Sequence, residues 1–367
     1  MFNSEGFMRF NSLRTALAKA VGDVFPGASA AVYIDDKLVY EEAFGYAEAI
    51  PERREASVET LYDLASLTKP LATSIIFAKL LEEGLIHLKQ KVSEVLPEYS
   101  KTNAGQDELK SKTEIWMLLS HSAGLPAWIP LYKLEKKSRA ELLDEAVRSF
   151  ISCPPGLKVI YSDIGYIILT ALAEKVTGER IDRLFEKFVA RPLGLRKTVY
   201  NPLDHGFSVN EVASTEIDPA TGFPLRGVVH DENARALEGL SGHAGLFSMS
   251  REVALIGGEL LQAYLGKSDS LVKKATATTM LSPWVINDYC YGLGWQVYRK
   301  TVTQAFGDLM TDGRAFGHTG FTGTSICIDV EHRVVAVLLS NRVHPTRENN
   351  KIMRFRPVFH NLLISSL

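Results

Sequence analysis

Cysteine is scarce in this chain of 367 residues. Cys153, Cys290 and Cys327 are odd in number and share no CxxC spacing, so neither a disulfide framework nor a cysteine-built zinc site is supported. An excess of one charge is lacking as well: 41 lysines and arginines stand against 43 aspartates and glutamates, a formal charge of −2. No basic block marks a track for nucleic acid or an anionic membrane, and no apolar run approaches the ~18 residues of a membrane span. Met1 to Arg14 contains no apolar stretch of the kind found in a secretory leader, so the chain reads as cytoplasmic, with a small molecule as its partner. Also missing are GxSxG, HExxH, GxxxxGK[ST] and GxGxxG, which removes the common elbow hydrolases, zinc peptidases, P-loop enzymes and dinucleotide binders. The composition that remains, 46% apolar and 23% charged with mean hydropathy near zero, belongs to a folded globular chain.

The apolar residues that are present fall into two kinds of pattern. Leu13, Ala16, Leu17, Ala20 and Val21 recur at helical spacing, and Ala30–Ile34 with Leu38–Phe44 reads as a β-hairpin. At the other end, Thr324–Asp329 and Arg333–Ser340 form a second hairpin about Glu331 and His332, followed by a helix from Asn349 that Pro357 interrupts. Between them the pattern is mainly helical: Leu71–Glu83, Glu114–Leu119, Arg139–Phe150, Ile164–Val176, Ile181–Val189 and Glu252–Tyr264. Two terminal hairpins supply too few strands apart and must share a sheet to bury their faces. The expected class is therefore α+β. Residues 1–70 and 285–367 form a discontinuous α/β domain with an antiparallel sheet flanked by helices, residues 71–284 a mainly helical inserted domain, and the site lies between them.

With 27 serines and 21 lysines, about 1.5 Ser-x-x-Lys matches arise by chance, so context decides between the two that occur. Ser270–Lys273 sits in a charged, exposed-looking stretch and reads as a solvated face. Ser66-Leu67-Thr68-Lys69 follows the extended run Thr60–Ala65 and opens an apolar helix that Pro70 helps to start. Free backbone N–H groups at that helix start favour a developing alkoxide, and the i, i+3 spacing brings Lys69 to the face of Ser66. On spacing alone, a capping serine beside a surface lysine remains the alternative. Further on, Tyr161-Ser162-Asp163 precedes the buried helix with Ile164, Ile167, Ile168 and Leu172. Gly317-His318-Thr319-Gly320-Phe321-Thr322-Gly323 precedes the last hairpin, where three glycines would let a strand edge approach a ligand.

Taken in order, these segments resemble the three motifs of the serine β-lactamase and penicillin-binding-protein superfamily. The resemblance is to its class C β-lactamase, D-aminopeptidase and family VIII carboxylesterase branch. Ser66–Lys69 is similar to its Ser-x-x-Lys, Tyr161–Asp163 to its Tyr-x-Asn, and His318–Gly320 to its Lys-Thr-Gly. Leu118–Pro126, Gly242–Ser248 and Tyr291–Trp295 also look like the family. The resemblance covers nearly the whole chain. It implies the β-lactamase/transpeptidase-like fold, an acyl-enzyme on Ser66 with Lys69 and Tyr161 as proton relay, an oxyanion hole from the backbone N–H groups of Ser66 and Phe321, and no metal or cofactor. Which of Lys69 and Tyr161 is the formal base stays open.

Two positions depart from the family pattern. Asp163 stands where asparagine is usual, adding a charge and removing an amide donor. His318 stands for lysine and is largely neutral above pH ~6.5, so the fixed cation that would attract a substrate carboxylate is lost. The favoured reading is a carboxylesterase on short-chain esters. The rivals are a β-lactamase, a D,D-carboxypeptidase, a D-amino-acid amidase, or a non-enzymatic sensor of cell-wall fragments. Substrate contacts are expected from Asp163, His318, Thr319, Gly320, Trp128 and Arg342, with Arg342 and Arg347 able to hold a carboxylate or to end in a surface salt bridge. His121 reads as a structural hydrogen-bonder of its turn. His230, Asp231, Glu232 and Asn233 read as a capped polar loop rather than a metal site.

Overall fold

The structure is a computed structural model that describes residues 9–102, 105–134 and 137–367. The leader reading of Met1–Arg14 therefore falls largely on residues outside it. Helix α1 (Asn11–Ala20) leads into β1 (Gly27–Ile34) and β2 (Lys37–Glu48), and β3 (Arg54–Glu55) pairs with the end of β2. Near the active region lie β4 (Tyr62–Asp63), β5 (Val199–Tyr200) and β6 (Leu246–Ser248), a small sheet of order β4-β6-β5. The C-terminal part supplies β7 (Val285–Ile286), β8 (Cys290–Tyr291), β9 (Gln296–Val297), β10 (Ala315–Thr319), β11 (Ser325–Asp329) and β12 (Val334–Ser340).

Strands from both ends build one nine-stranded antiparallel sheet of order β3-β2-β1-β12-β11-β10-β9-β8-β7. Its seam is β1 against β12, with Ala31 opposite Val337. The expected terminal hairpins are both present and share this sheet.

The seam strands are nearly continuous apolar runs, broken by Ser29 and Ser340, because both faces are covered. Side chains alternate between faces. Ala28, Ala30, Val32, Ala336 and Leu338 meet α1 and the last helix, α5 (Ile352–Ile364), through Leu13, Leu17, Phe359 and Leu363. Ala31, Val335, Val337 and Leu339 turn the other way, into the core that holds Val253, Ile256 and Leu260 of helix α4 (Ser250–Leu265). Helix α4, from the middle segment, thus lies on the sheet. Asn341 closes the seam: its Oδ1 accepts from the Gly27 N–H at 2.9 Å and its Nδ2 donates to the Ala47 carbonyl at 3.0 Å.

Two helices position the site from the other side. Helix α2 (Ser74–Glu82) carries the chain on from Ser66, and helix α3 (Asp163–Thr177) is buried nearly all round through Ile164, Tyr166, Ile167, Ile168, Leu169 and Leu172. Ser162 caps α3, its Oγ accepting from the Gly165 N–H at 3.0 Å, and Gly178 ends it in the left-handed region. At α5 the expectation fails: the helix runs through Pro357 instead of being interrupted by it. The carbonyl robbed of its donor is that of Met353, on the solvent side, while Ile352 and Arg356 before the proline and Phe359 and Leu363 after it are buried and hold both halves in place.

The approach of α4 to the sheet depends on Gly257, where a Cβ would lie 2.7 Å from Val335 Cγ1 and 2.9 Å from Ile326 Cδ1. Gly257→Val is expected to lower stability by about 1–3 kcal/mol through overpacking, read as a lower urea midpoint with an unchanged denaturant slope.

Candidate active site

Ser66 stands on a tight turn placed by its neighbours. Asp63, at the end of β4, accepts the Ala65 N–H at 2.8 Å, and Thr68 Oγ1 donates to the Ala65 carbonyl at 2.7 Å. Between them Ala65 is forced to φ +47°, a left-handed conformation that costs a non-glycine residue about 1 kcal/mol or more. The segment differs from the single α-helix expected: a 3-10 turn, Ala65–Leu67, passes through a wider π turn, Lys69–Thr73, before α2 begins. Pro70, which has no N–H to donate, lies within that wider turn. Ser66 and Lys69 still share a face, with Lys69 Nζ donating to Ser66 Oγ at 3.0 Å.

Lys69 is wholly buried. Besides Ser66, its ammonium meets the His243 carbonyl at 3.0 Å and Asp163 Oδ1 at 2.6 Å, and it lies 5.0 Å from the centre of the Tyr161 ring. Asp163 therefore does not sit free as an added charge in the cleft but serves as the counter-ion of the lysine. Tyr161 is held on both flanks by His121: the Ile160 N–H donates to the His121 carbonyl at 2.8 Å and the Ser162 N–H to His121 Nδ1 at 3.0 Å. The two rings lie with centroids 4.4 Å apart, tilted by 35°. Burial, and then the charge of Asp163, push the Tyr161 hydroxyl well above the usual phenol range against the opposing pull of its hydrogen bond with Ser66.

The third motif forms the end of β10. His318 donates from Nδ1 to the Thr319 carbonyl at 2.8 Å, which leaves Nε2 as a buried acceptor without a partner among the described residues. Burial first, and the charges of Lys69 and Arg356, lower His318 to about 3. It is neutral far below the pH ~6.5 at which a free imidazole titrates. The glycines around it are also closely packed by the protein itself: a Cβ on Gly317 would lie 2.6 Å from the Phe306 ring, and one on Gly320 would lie 2.6 Å from the Leu64 carbonyl.

These groups line a cleft of about 800 Å³. Ser66, Tyr161, Asp163, His318, Thr319, Gly320, Phe321, Trp128 and Arg342 all face it, and Lys69 lies just beneath. Trp128 is partly exposed against Tyr132 and is not a core residue. Arg347 is occupied: its Nε donates to Glu216 at 2.6 Å and its Nη2 to Glu232 at 2.7 Å. Arg342 has no carboxylate partner among the described residues and donates to the carbonyls of Phe321 at 2.7 Å and Arg347 at 2.8 Å. Ser270 and Lys273 are exposed, away from the cleft.

Three further participants come from outside the three motifs. His243 supplies a carbonyl to Lys69, while its ring joins Ser241 Oγ to Asp231 Oδ1, each at 2.7 Å. Asp231 lines the cleft and also caps the short helix Glu232–Ala236, as the capped-loop reading expects. Burial opposes its ionisation, but His243 and the Ala234 N–H hold it below the usual carboxylate range. The third is Arg356 of α5, buried beside the cleft and lowered to about 9 by burial and by Arg342. The glycine-rich run around His243 was the one available signal; Arg356 left none. Among the described residues there is no cluster of side chains able to hold a metal, and no helix long and apolar enough to cross a membrane.

A serine and a buried lysine one turn apart, a tyrosine beside them and a strand end alongside are the arrangement of a serine hydrolase. The Beta-lactamase family model matches residues 13–356, and the chain belongs to that family. It is 34% identical over 371 aligned positions to a protein of Escherichia coli (strain K12) named putative D-alanyl-D-alanine carboxypeptidase, covering 94% of this chain and 84% of that protein. Its fold is shared with EstCE1, described as a hydrolase with promiscuous acyltransferase activity (TM-score 0.79, 21% identity, 98% of this chain and 100% of that one). The octameric penicillin-binding protein homologue from Pyrococcus abyssi is also similar (TM-score 0.72, 21% identity, 94% and 76%).

The neutrality of His318 has a measurable sign. Its folded value is depressed, so it takes no part in titration from about pH 5 to about pH 8, and the ratio of kcat/KM between wild type and His318→Gln is expected to stay flat over that range. Stability behaves differently. As pH falls below ~6.5 the unfolded chain binds a proton at this position that the folded chain refuses, so the wild type loses stability more steeply than His318→Gln in urea titrations at pH 7 and pH 5.

Proposed function

We propose that the protein is a carboxylesterase that acylates Ser66 and acts on short-chain, uncharged esters. The observation that carries the substrate class is the buried, neutral His318 at the position of the family's lysine. A lysine there presents a fixed charge to a substrate carboxylate. An imidazole lowered to about 3, whose only free nitrogen is an acceptor, offers a carboxylate no such partner.

Lys69 is the nitrogen 3.0 Å from Ser66 Oγ, while Tyr161 is held protonated, so the proton acceptor in acylation is Lys69. In its neutral form the Lys69 amine takes the Ser66 proton as Oγ attacks the ester carbonyl, and Asp163, 2.6 Å away, offsets the charge that then forms on the amine. Tyr161 then protonates the departing alkoxide and is reprotonated from Lys69, after which water repeats the sequence on the acyl-enzyme. The N–H groups of Ser66 and Phe321 carry the oxyanion.

A second reading, removal of a terminal D-alanine, is favoured by the name of the Escherichia coli relative and by Arg342, a cleft cation without a carboxylate partner among the described residues. One panel separates the two: a short-chain p-nitrophenyl ester, nitrocefin and a D-alanyl-D-alanine peptide, each with intact-mass detection of trapped adducts. The ester is expected to show the highest kcat/KM; a peptide turned over faster than the ester would replace the esterase reading with the carboxypeptidase one.

Ser66→Ala is expected to abolish both turnover and adduct, and a fluorophosphonate label is expected on Ser66. A label on Ser241 or Ser270 would be incompatible with the mechanism. Restoring the cation with His318→Lys is expected to raise the nitrocefin-to-ester ratio of kcat/KM by roughly ten- to a hundredfold, the worth of one charge-assisted contact.

A further inference from the structure

The loop Gly320–Thr324 joins β10 to β11 beside Ser66, and it is pinned from two sides. Toward the serine, Thr322 Oγ1 donates to the Asp63 carbonyl at 2.7 Å and Thr324 Oγ1 to the Leu64 carbonyl at 3.0 Å. Away from it, Arg356 of α5 donates from Nη2 to the carbonyls of Gly320 at 2.6 Å and Thr324 at 3.0 Å. Arg342 Nε holds the next carbonyl, that of Phe321, at 2.7 Å. The Phe321 N–H makes no hydrogen bond among the described residues.

The Gly320 carbonyl and the Phe321 N–H belong to one peptide unit. In a trans peptide they point in opposite directions. A donor that fixes the carbonyl toward α5 therefore fixes the N–H away from α5, on the side of the loop that Ser66 occupies. A positive charge on that carbonyl also draws electron density through the amide and makes the N–H a stronger donor.

We propose that Arg356 is a positioning residue of the oxyanion hole: through the Gly320 carbonyl it aims and polarises the Phe321 N–H. The assignment rests on the reading of Ser66 as the acylated nucleophile. Its chemical logic lies in the charge. Two backbone carbonyls could be satisfied by a neutral amide, yet the side chain here is a guanidinium, 3% exposed, with no carboxylate partner among the described residues. An uncompensated buried cation is costly for folding alone. In the tetrahedral intermediate it gains a counter-charge, the oxyanion at the far end of the polarised peptide, so its benefit is larger in the transition state than in the ground state.

The test uses the full chain with a p-nitrophenyl ester and a slowly deacylating ester labelled with ¹³C at its carbonyl. Arg356→Met is expected to lower kcat about 10- to 100-fold, somewhat less than deletion of an oxyanion donor itself, with KM within about threefold of wild type. In infrared difference spectra the labelled acyl carbonyl is expected to absorb at a higher wavenumber in Arg356→Met, because a weaker donor leaves more double-bond character.

Arg356→Lys keeps the charge and the stem but loses the planar fork, and is expected to fall between the two in kcat and in wavenumber. If the methionine variant does not fold, the lysine variant against wild type decides. A purely structural arginine would lower the melting temperature and leave both kcat and the carbonyl band of the folded fraction unchanged, and that result overturns the proposal. A wild type that forms no adduct on Ser66 overturns the serine reading and this assignment with it, whereas an adduct whose band ignores Arg356 overturns the assignment alone.

Discussion

The cleft is organised around a single burial problem. Lys69 is fully enclosed, and an ammonium removed from water costs several kcal/mol unless its donors are met. Its partners come from three separate parts of the chain: Ser66 from its own turn, Asp163 from the start of α3, and the His243 carbonyl from the loop before β6. None of these elements can shift without leaving part of the charge unmet. The position of the nucleophile is therefore a by-product of solvating the lysine with protein atoms. The same requirement explains why the polar loop around Asp231 and His243, far from Ser66 in sequence, is fastened by short hydrogen bonds.

Charge in the remainder of the site is arranged by sign. Histidine and tyrosine side chains around the lysine are driven to their neutral forms: His121 and His318 are lowered, and Tyr161 is raised. The cleft-lining cations without a carboxylate partner among the described residues, Arg342 and Arg356, both address carbonyls of the loop after β10. Positive charge is thus concentrated on the peptide units beside the reacting carbonyl and kept off the position where family members carry lysine.

Much of this was legible in the residues because it rests on short-range relations. The terminal hairpins show as β-rich runs, and their shared sheet follows from the need to cover apolar faces. Ser66 and Lys69 are one turn apart, so spacing alone brings them together, and the capping serine of α3 marks where Tyr161 leaves the loop. Contacts that cross the chain left no such trace. His243 acts through its carbonyl, which every residue possesses, and Arg356 reaches Gly320 from a helix 36 positions further on. Glycines at 317 and 320 advertise close approach, but periodicity does not say that an aromatic ring and a carbonyl of the protein lie against them. Pro357 misled for a related reason: its effect depends on which side of the helix loses the bond, and that is settled by tertiary packing.

The seam of the large sheet has a consequence for how the chain is made. Ala31 is paired opposite Val337, so the strand that completes β1 leaves the ribosome about 300 residues later, roughly 15 to 60 s at ordinary elongation rates. Until then the N-terminal hairpin has an apolar strand with an open edge, and α1 has nothing from α5 to pack on. Newly synthesised molecules accordingly pass through a long interval in which β1 offers a template to any other extended chain. The exposure ends only when β12 has emerged, so the open edge of β1 is a hazard of synthesis that the completed seam removes.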